Sequence, residues 1–86
     1  MDDLEVRVTN VPPDRTVWNP TTERLTVTRT GTDEYRVEWY IVWNDGSTMA
    51  HREVGTMDAG AARERIARAL RDPYGRVLAP GEDWPG

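Results

Sequence analysis

The chain has 86 residues, a net charge of −4 and no cysteine. That length leaves room for one small core and a thin stability margin, since such a chain buries only about 60–65% of the surface its unfolded form exposes. The missing cysteines exclude a disulfide staple and a thiolate metal site, and the acidic balance argues against general binding to nucleic acid or anionic membranes.

A single histidine, His51, removes a His-rich metal site as well, and no cofactor is expected. No apolar run approaches the roughly 20 residues that span a bilayer. The acidic start Met1-Asp2-Asp3 is unlike a signal peptide, so a soluble cytoplasmic protein is expected. All eleven basic residues are arginine, the mark of a GC-rich coding sequence such as that of a bacterium or its phage.

Residues 4–8 alternate Leu4, Val6 and Val8 with charged Glu5 and Arg7, which predicts a half-buried strand. Pro12 and Pro13 end it, because neither can donate to a ladder. Residues 15–22 read as an ordered loop with Trp18 as its anchor. The second strand covers residues 23–29, rich in threonine and valine. Residues 30–33 turn the chain, with Gly31 expected to take the positive φ. A three-residue loop of Gly31, Thr32 and Asp33 pairs Val27 with Val37, Leu25 with Trp39 and Arg29 with Tyr35, which puts apolar residues on one face.

The third strand, residues 35–43, has two faces. Tyr35, Val37, Trp39, Ile41 and Trp43 form the core face, and the core is expected to hinge on Trp39. Arg36, Glu38, Tyr40 and Val42 form the other. Asn44-Asp45-Gly46 is a hairpin signal. A two-residue loop sets Ala50 opposite Ile41 and Val54 opposite Val37, keeps Glu53 in water and brings Arg52 beside Trp39 as a cation–π partner. A three-residue loop sets Met49 opposite Ile41 and Glu53 opposite Val37. The first register is preferred because it buries Ala50 and Val54.

Asp58 is a helix N-cap with Met57 as hydrophobic staple. Ala59, Ala62, Ile66, Ala69 and Leu70 recur at helical spacing over residues 58–71. Asp72-Pro73 stops the helix. Residues 76–79 are a candidate fifth strand, and residues 79–86 a tail with Trp84 as its anchor. Trp18 and Trp84 stay open between core closure and binding. The expected fold is α+β: an antiparallel meander of three to four strands, with a short fifth as a candidate, and one C-terminal helix across one sheet face. It forms one domain with its core in residues 4–71.

No nucleophile stands beside a base, and the carboxylate pairs fall at a terminus, a turn and the tail, where nothing separates their pKa values. A non-enzymatic module is expected. Two surfaces can meet a partner. The exposed sheet face carries Arg36, Glu38, Tyr40 and Glu53, a mixed-charge surface with an aromatic that suits a protein partner. The helix carries Arg65, Arg68 and Arg71, a candidate basic patch for phosphate or an acidic partner. Residues 57–72 hold four arginines against three acidic residues, a net +1, so the rest of the chain carries −5.

Residues 31–70 also show a family likeness. Tyr35-Arg36-Val37-Glu38-Trp39, the turn Asp45-Gly46, then Gly55-Thr56-Met57-Asp58-Ala59 and the alanines 61, 62, 67 and 69 resemble the three-stranded sheet plus helix of AP2/ERF domains and of integrase arm-binding domains. The resemblance implies a DNA-binding alternative in which Arg29, Arg36 and Tyr40 enter the major groove. The sequence departs from that pattern at Glu34, Glu38 and Glu53, which remove positive charge from the face. A protein partner, as for a small inhibitor, immunity or accessory protein, is the preferred expectation, with DNA as the alternative and no membrane.

Overall fold

The computed structural model describes residues 4–11, 21–43 and 47–85, and only the backbone of residues 21 and 48–52. The Trp18 loop, the 44–46 turn and the side chains of His51 and Arg52 lie outside the described residues. The described residues form five strands and one helix: β1 (Arg7–Asn10), β2 (Thr21–Gly31), β3 (Glu34–Trp43), β4 (Thr48–Met57), α1 (Ala59–Ala69) and β5 (Gly75–Val77). The strands form one antiparallel sheet in the order β4-β3-β2-β1-β5, with α1 packed on one face. This is the expected α+β meander, and the fifth strand adds to it at the far edge, beside β1. No helix among the described residues is long and apolar enough to cross a membrane.

The β2–β3 pairing has the expected register, but not through a three-residue loop: Gly31 pairs with Glu34, the turn is Thr32-Asp33, and a bulge at Thr30 restores the register. Val27 faces Val37, Leu25 faces Trp39 and Arg29 faces Tyr35. The turn conformation is set elsewhere than expected. Asp33, not Gly31, takes the left-handed backbone, with φ of 53°. An aspartate tolerates that region because its short polar side chain bonds locally. Here the side chain reaches further: Asp33 Oδ1 accepts a hydrogen bond from Ala59 N at 2.9 Å, in the first turn of α1. Asp58 Oδ1 accepts one from Ala61 N at 2.8 Å. Two aspartates thus satisfy two of the donors that a helix start leaves free.

The β3–β4 register shifts twice. Next to the turn Val42 faces Thr48 and Trp43 N donates to Ser47 O at 2.8 Å, the register of the three-residue loop; a first shift then sets Ile41 opposite Ala50 and Tyr40 opposite His51, the register of the two-residue loop. Trp39 then faces Glu53, so the ladder skips Arg52. An extra residue on one strand is a β-bulge, and it exchanges the two faces of everything after it. Val37 therefore faces Gly55 rather than Val54, and Val54 lies 49% exposed on the face away from the helix. Met57 gains from the same shift. It lands opposite Tyr35 and packs against the core before Asp58 caps the helix.

The core lies between α1 and the sheet. Leu4, Val8, Leu25, Val27, Tyr35 and Val37 are buried there with Ala62, and Trp39, Met57, Ala59, Ile66 and Ala69 pack around them. Val37 is the centre, with no exposed surface. Trp39, expected at that centre, stands at the margin. Trp43 and Leu70, expected in the core, are each 39% exposed. Length explains Trp43: an 11-residue helix is about 16 Å long, whereas a 10-residue strand runs about 33 Å. The end of β3 outruns its cover. Leu70 is the C-cap of the helix, past its last full turn.

The last segment is docked rather than loose. Leu78 is buried, and its N–H donates to Arg7 O at 2.8 Å, extending the β5–β1 contact. Gly75 allows the return from the helix, because a Cβ there would meet Ala69 O at 2.7 Å. Trp84 lies on the sheet face opposite α1, with the guanidinium carbons of Arg7 and Arg24 at 5.4 and 5.0 Å from its ring centroid. A small clamp holds the approach: Arg76 Nη2 bonds Glu82 Oε2 at 2.9 Å, and Glu82 Oε1 accepts from Ala79 N at 2.9 Å.

That clamp predicts a pH response. The hydrogen bond from Arg76, and then that from Ala79 N, hold the Glu82 carboxyl below its usual range. A lowered carboxylate pKa favours the docked form above the ordinary carboxylate range and ceases to do so as pH falls through the lowered value. On acidification the indole signal of Trp84 should move towards that of a solvated tryptophan, and Glu82→Gln should show the same movement at neutral pH. An indole signal unmoved in both experiments would rule out the clamp.

Candidate functional site

The helix covers one face of the sheet; the other is open around Arg36 and Glu38 but closed at its far end, where Val42 and Thr22 face each other and are buried. The predicted partner residues divide between the two faces. Arg36, Glu38 and Tyr40 stand on the open face of β3, as their even spacing requires. Arg36 Nε donates to Glu38 Oε1 at 2.7 Å, with the two side chains 50% and 34% exposed. Thr26 and Thr28 face this pair from β2, and Val54 and Thr56 face it from β4. Arg24 lies opposite Tyr40. The open face is therefore a hydroxyl-rich strip with an internally paired arginine, a tyrosine and an exposed valine. Arg29 lies instead on the opposite face, paired with core residue Tyr35.

Glu53 does not belong to this strip, contrary to expectation. The bulge at Arg52 turns it to the helix side, where its Oε1 accepts from Arg65 Nε at 3.2 Å. The helix arginines are redistributed in turn. Arg65 is buried, with its side chain only 9% exposed and its guanidinium carbon 4.9 Å from the ring centroid of Trp39. Among the described residues, Arg65 from the helix is a cation–π partner of Trp39. Arg68 and Arg71 remain exposed.

These residues share a cleft. It has a volume of about 420 Å³ and lies between the C-terminal half of α1 and the sheet. Leu25 and Trp39 belong to its sheet side, Ala69 to its helix side, and Arg65, Arg68 and Arg71 all line it. The three predicted patch arginines thus come together, but as the lining of a recess rather than as an outward stripe. Glu23, Glu53 and Asp72 line it too, so the cleft is mixed in charge. Asp72 is engaged: Oδ2 accepts from Asn10 Nδ2 at 3.0 Å and Oδ1 from Tyr74 N at 2.9 Å.

The sequence holds one signal for this cleft. Position 65 falls between Ala62 and Ile66 on the buried stripe, at the i+3 spacing that points an arginine inward. What it meets there depends on the β4 bulge, which no local pattern announces. No family model, curated protein or solved structure matches the chain.

Proposed function

We propose that the chain is a non-enzymatic protein-binding module, and that the open sheet face is its interface. Tyr40 and Arg36 are the principal contacts, with Val54, Thr26 and Thr28 around them. A small inhibitor, immunity or accessory protein has this character. The observation that carries the proposal is the charge pairing of Arg36, the arginine at the centre of this face. Arg36 is paired with Glu38 at 2.7 Å, and Arg7 and Arg24 are stacked on Trp84. A duplex is held chiefly by cations free to neutralise phosphates and release counterions. A protein interface instead gains from an aromatic and an arginine amid neutral groups, which is what this strip offers.

The test has two arms. A photo-crosslinker placed at Thr28, beside Arg36, should capture one defined protein from an extract of the source organism, and Tyr40→Ala should abolish the capture. Titration with random and genomic duplexes should give dissociation constants weaker than about 10 µM at physiological salt. Sub-micromolar duplex binding, with a steep salt slope that Arg36→Ala removes, would reverse the proposal in favour of the AP2 or integrase-arm alternative on the same face.

A further inference from the structure

The cleft between α1 and the sheet is separate from the open face and has its own chemistry. Its three arginines are matched in number by Glu23, Glu53 and Asp72, but most of their guanidinium donors are not taken up among the described residues. Arg65 spends its Nε on Glu53. Among the described residues its two terminal nitrogens have no acceptor, and neither Arg68 nor Arg71 has a hydrogen-bond or ion-pair partner for its guanidinium. Arg65 is held from both sides, by the carboxylate of Glu53 and by the ring of Trp39, so its fork is fixed before anything binds. A fixed guanidinium fork matches the two oxygens of a carboxylate or phosphate group. Val8, Leu25, Trp39 and Ala69 supply apolar wall beside it.

From this arrangement we infer that the cleft is a binding site for a small organic acid: one oxyanion group for Arg65, Arg68 and Arg71, joined to a flat apolar body that lies against Trp39 and Leu25. Size agrees, since about 420 Å³ falls within the range of roughly 300–1,000 Å³ usual for small-molecule sites. The acidic residues narrow the class. Glu53 and Asp72 are already engaged, but Glu23 has no side-chain partner among the described residues and lines the same cleft. A polyanion such as a nucleoside triphosphate would meet more of its repulsion than a single carboxylate or phosphate monoester at the arginine end. The recess also offers too little volume for a folded partner.

The experiment uses the whole chain and four probes: phenylacetate, phenyl phosphate, phenylacetamide and inorganic phosphate. Binding is followed by the indole N–H signal of Trp39 and the Nε–H signal of Arg65 in assigned NMR spectra. At least one of the two acids should shift both signals with a dissociation constant below about 1 mM. The neutral amide and inorganic phosphate should each bind about tenfold more weakly or worse, since each lacks one half of the recognition. Arg68→Ala with Arg71→Ala, both at exposed positions, should weaken the better acid by a similar factor while leaving the circular dichroism unchanged. The preferred acid reports whether a carboxylate or a phosphate monoester is the natural head group. Three results would each overturn the inference: no shift with either acid at about 10 mM, an amide that binds as well as the acids, or binding that the paired arginine variant does not weaken. The acid-against-amide comparison needs only the parent protein, so the inference is testable even if the variant folds poorly.

Discussion

Leu25→Ala should cost about 3 kcal/mol, within the usual range for truncating a buried leucine. Leu25 is 2% exposed and sits in the middle strand of the sheet, facing Val8 on one side and Trp39 on the other. The flanking strands are fixed by their ladders and leave little means of collapse, while the space left by the side chain would open on the cleft beside α1. A domain of this length holds about 4–13 kcal/mol in total. The expected fall in melting temperature is about 12–24 °C, on the scale of 4–8 °C per kcal/mol for small domains. Thermal denaturation followed by circular dichroism reads this directly. A melting temperature within a few degrees of the parent would show that the core is centred elsewhere. Val54→Ala is the control: it removes apolar atoms from a residue 49% exposed and should change stability little.

The second large effect concerns Glu53 and Arg65. Glu53→Ala should destabilise by about 1–2 kcal/mol, because it leaves a buried guanidinium with one fewer acceptor. The full penalty for an orphaned buried charge is larger, but the Glu53 side chain is 37% exposed and water reaches the site, which lowers the figure. Arg65→Met keeps the apolar stem over Trp39 and removes the charge, so the double variant Glu53→Ala with Arg65→Met should be more stable than Glu53→Ala alone. Replacement of an inward-facing ion pair by apolar groups is often neutral for this reason. Urea denaturation of the four proteins in the cycle gives the coupling energy. Strict additivity would mean that the pair is a bystander and that Trp39 alone holds Arg65 in place.

Much of this fold is local chemistry, legible in the chain. The alternation through residues 23–43 defined two strands and their faces. The apolar pattern fixed their register, because only one pairing puts Leu25, Val27, Val37 and Trp39 together, although the turn itself is Thr32-Asp33 with a bulge at Thr30. The alanine-rich stripe and Asp58 placed the helix to within two residues of its observed bounds. Such features depend on side-chain period and on turn and cap chemistry within a few residues, so they need no knowledge of the rest of the chain.

The tertiary structure decided what depends on distant partners. The β4 bulge has no signature of its own. It satisfies two distant demands at once, a place for Met57 under the helix and an acceptor for Arg65. One skipped residue moved Glu53 from the open face into the cleft and Val54 from the core to the surface. Asp33 took the left-handed turn position and also bonded the start of a helix 26 residues away. Trp84 found two arginines from strands β1 and β2 that nothing in the tail foretold. Local pattern determined which elements form. Their faces after the bulge, and the cleft with its three arginines, followed only from packing, because a face is defined by what stands opposite it and a bulge reverses it at the cost of one ladder position.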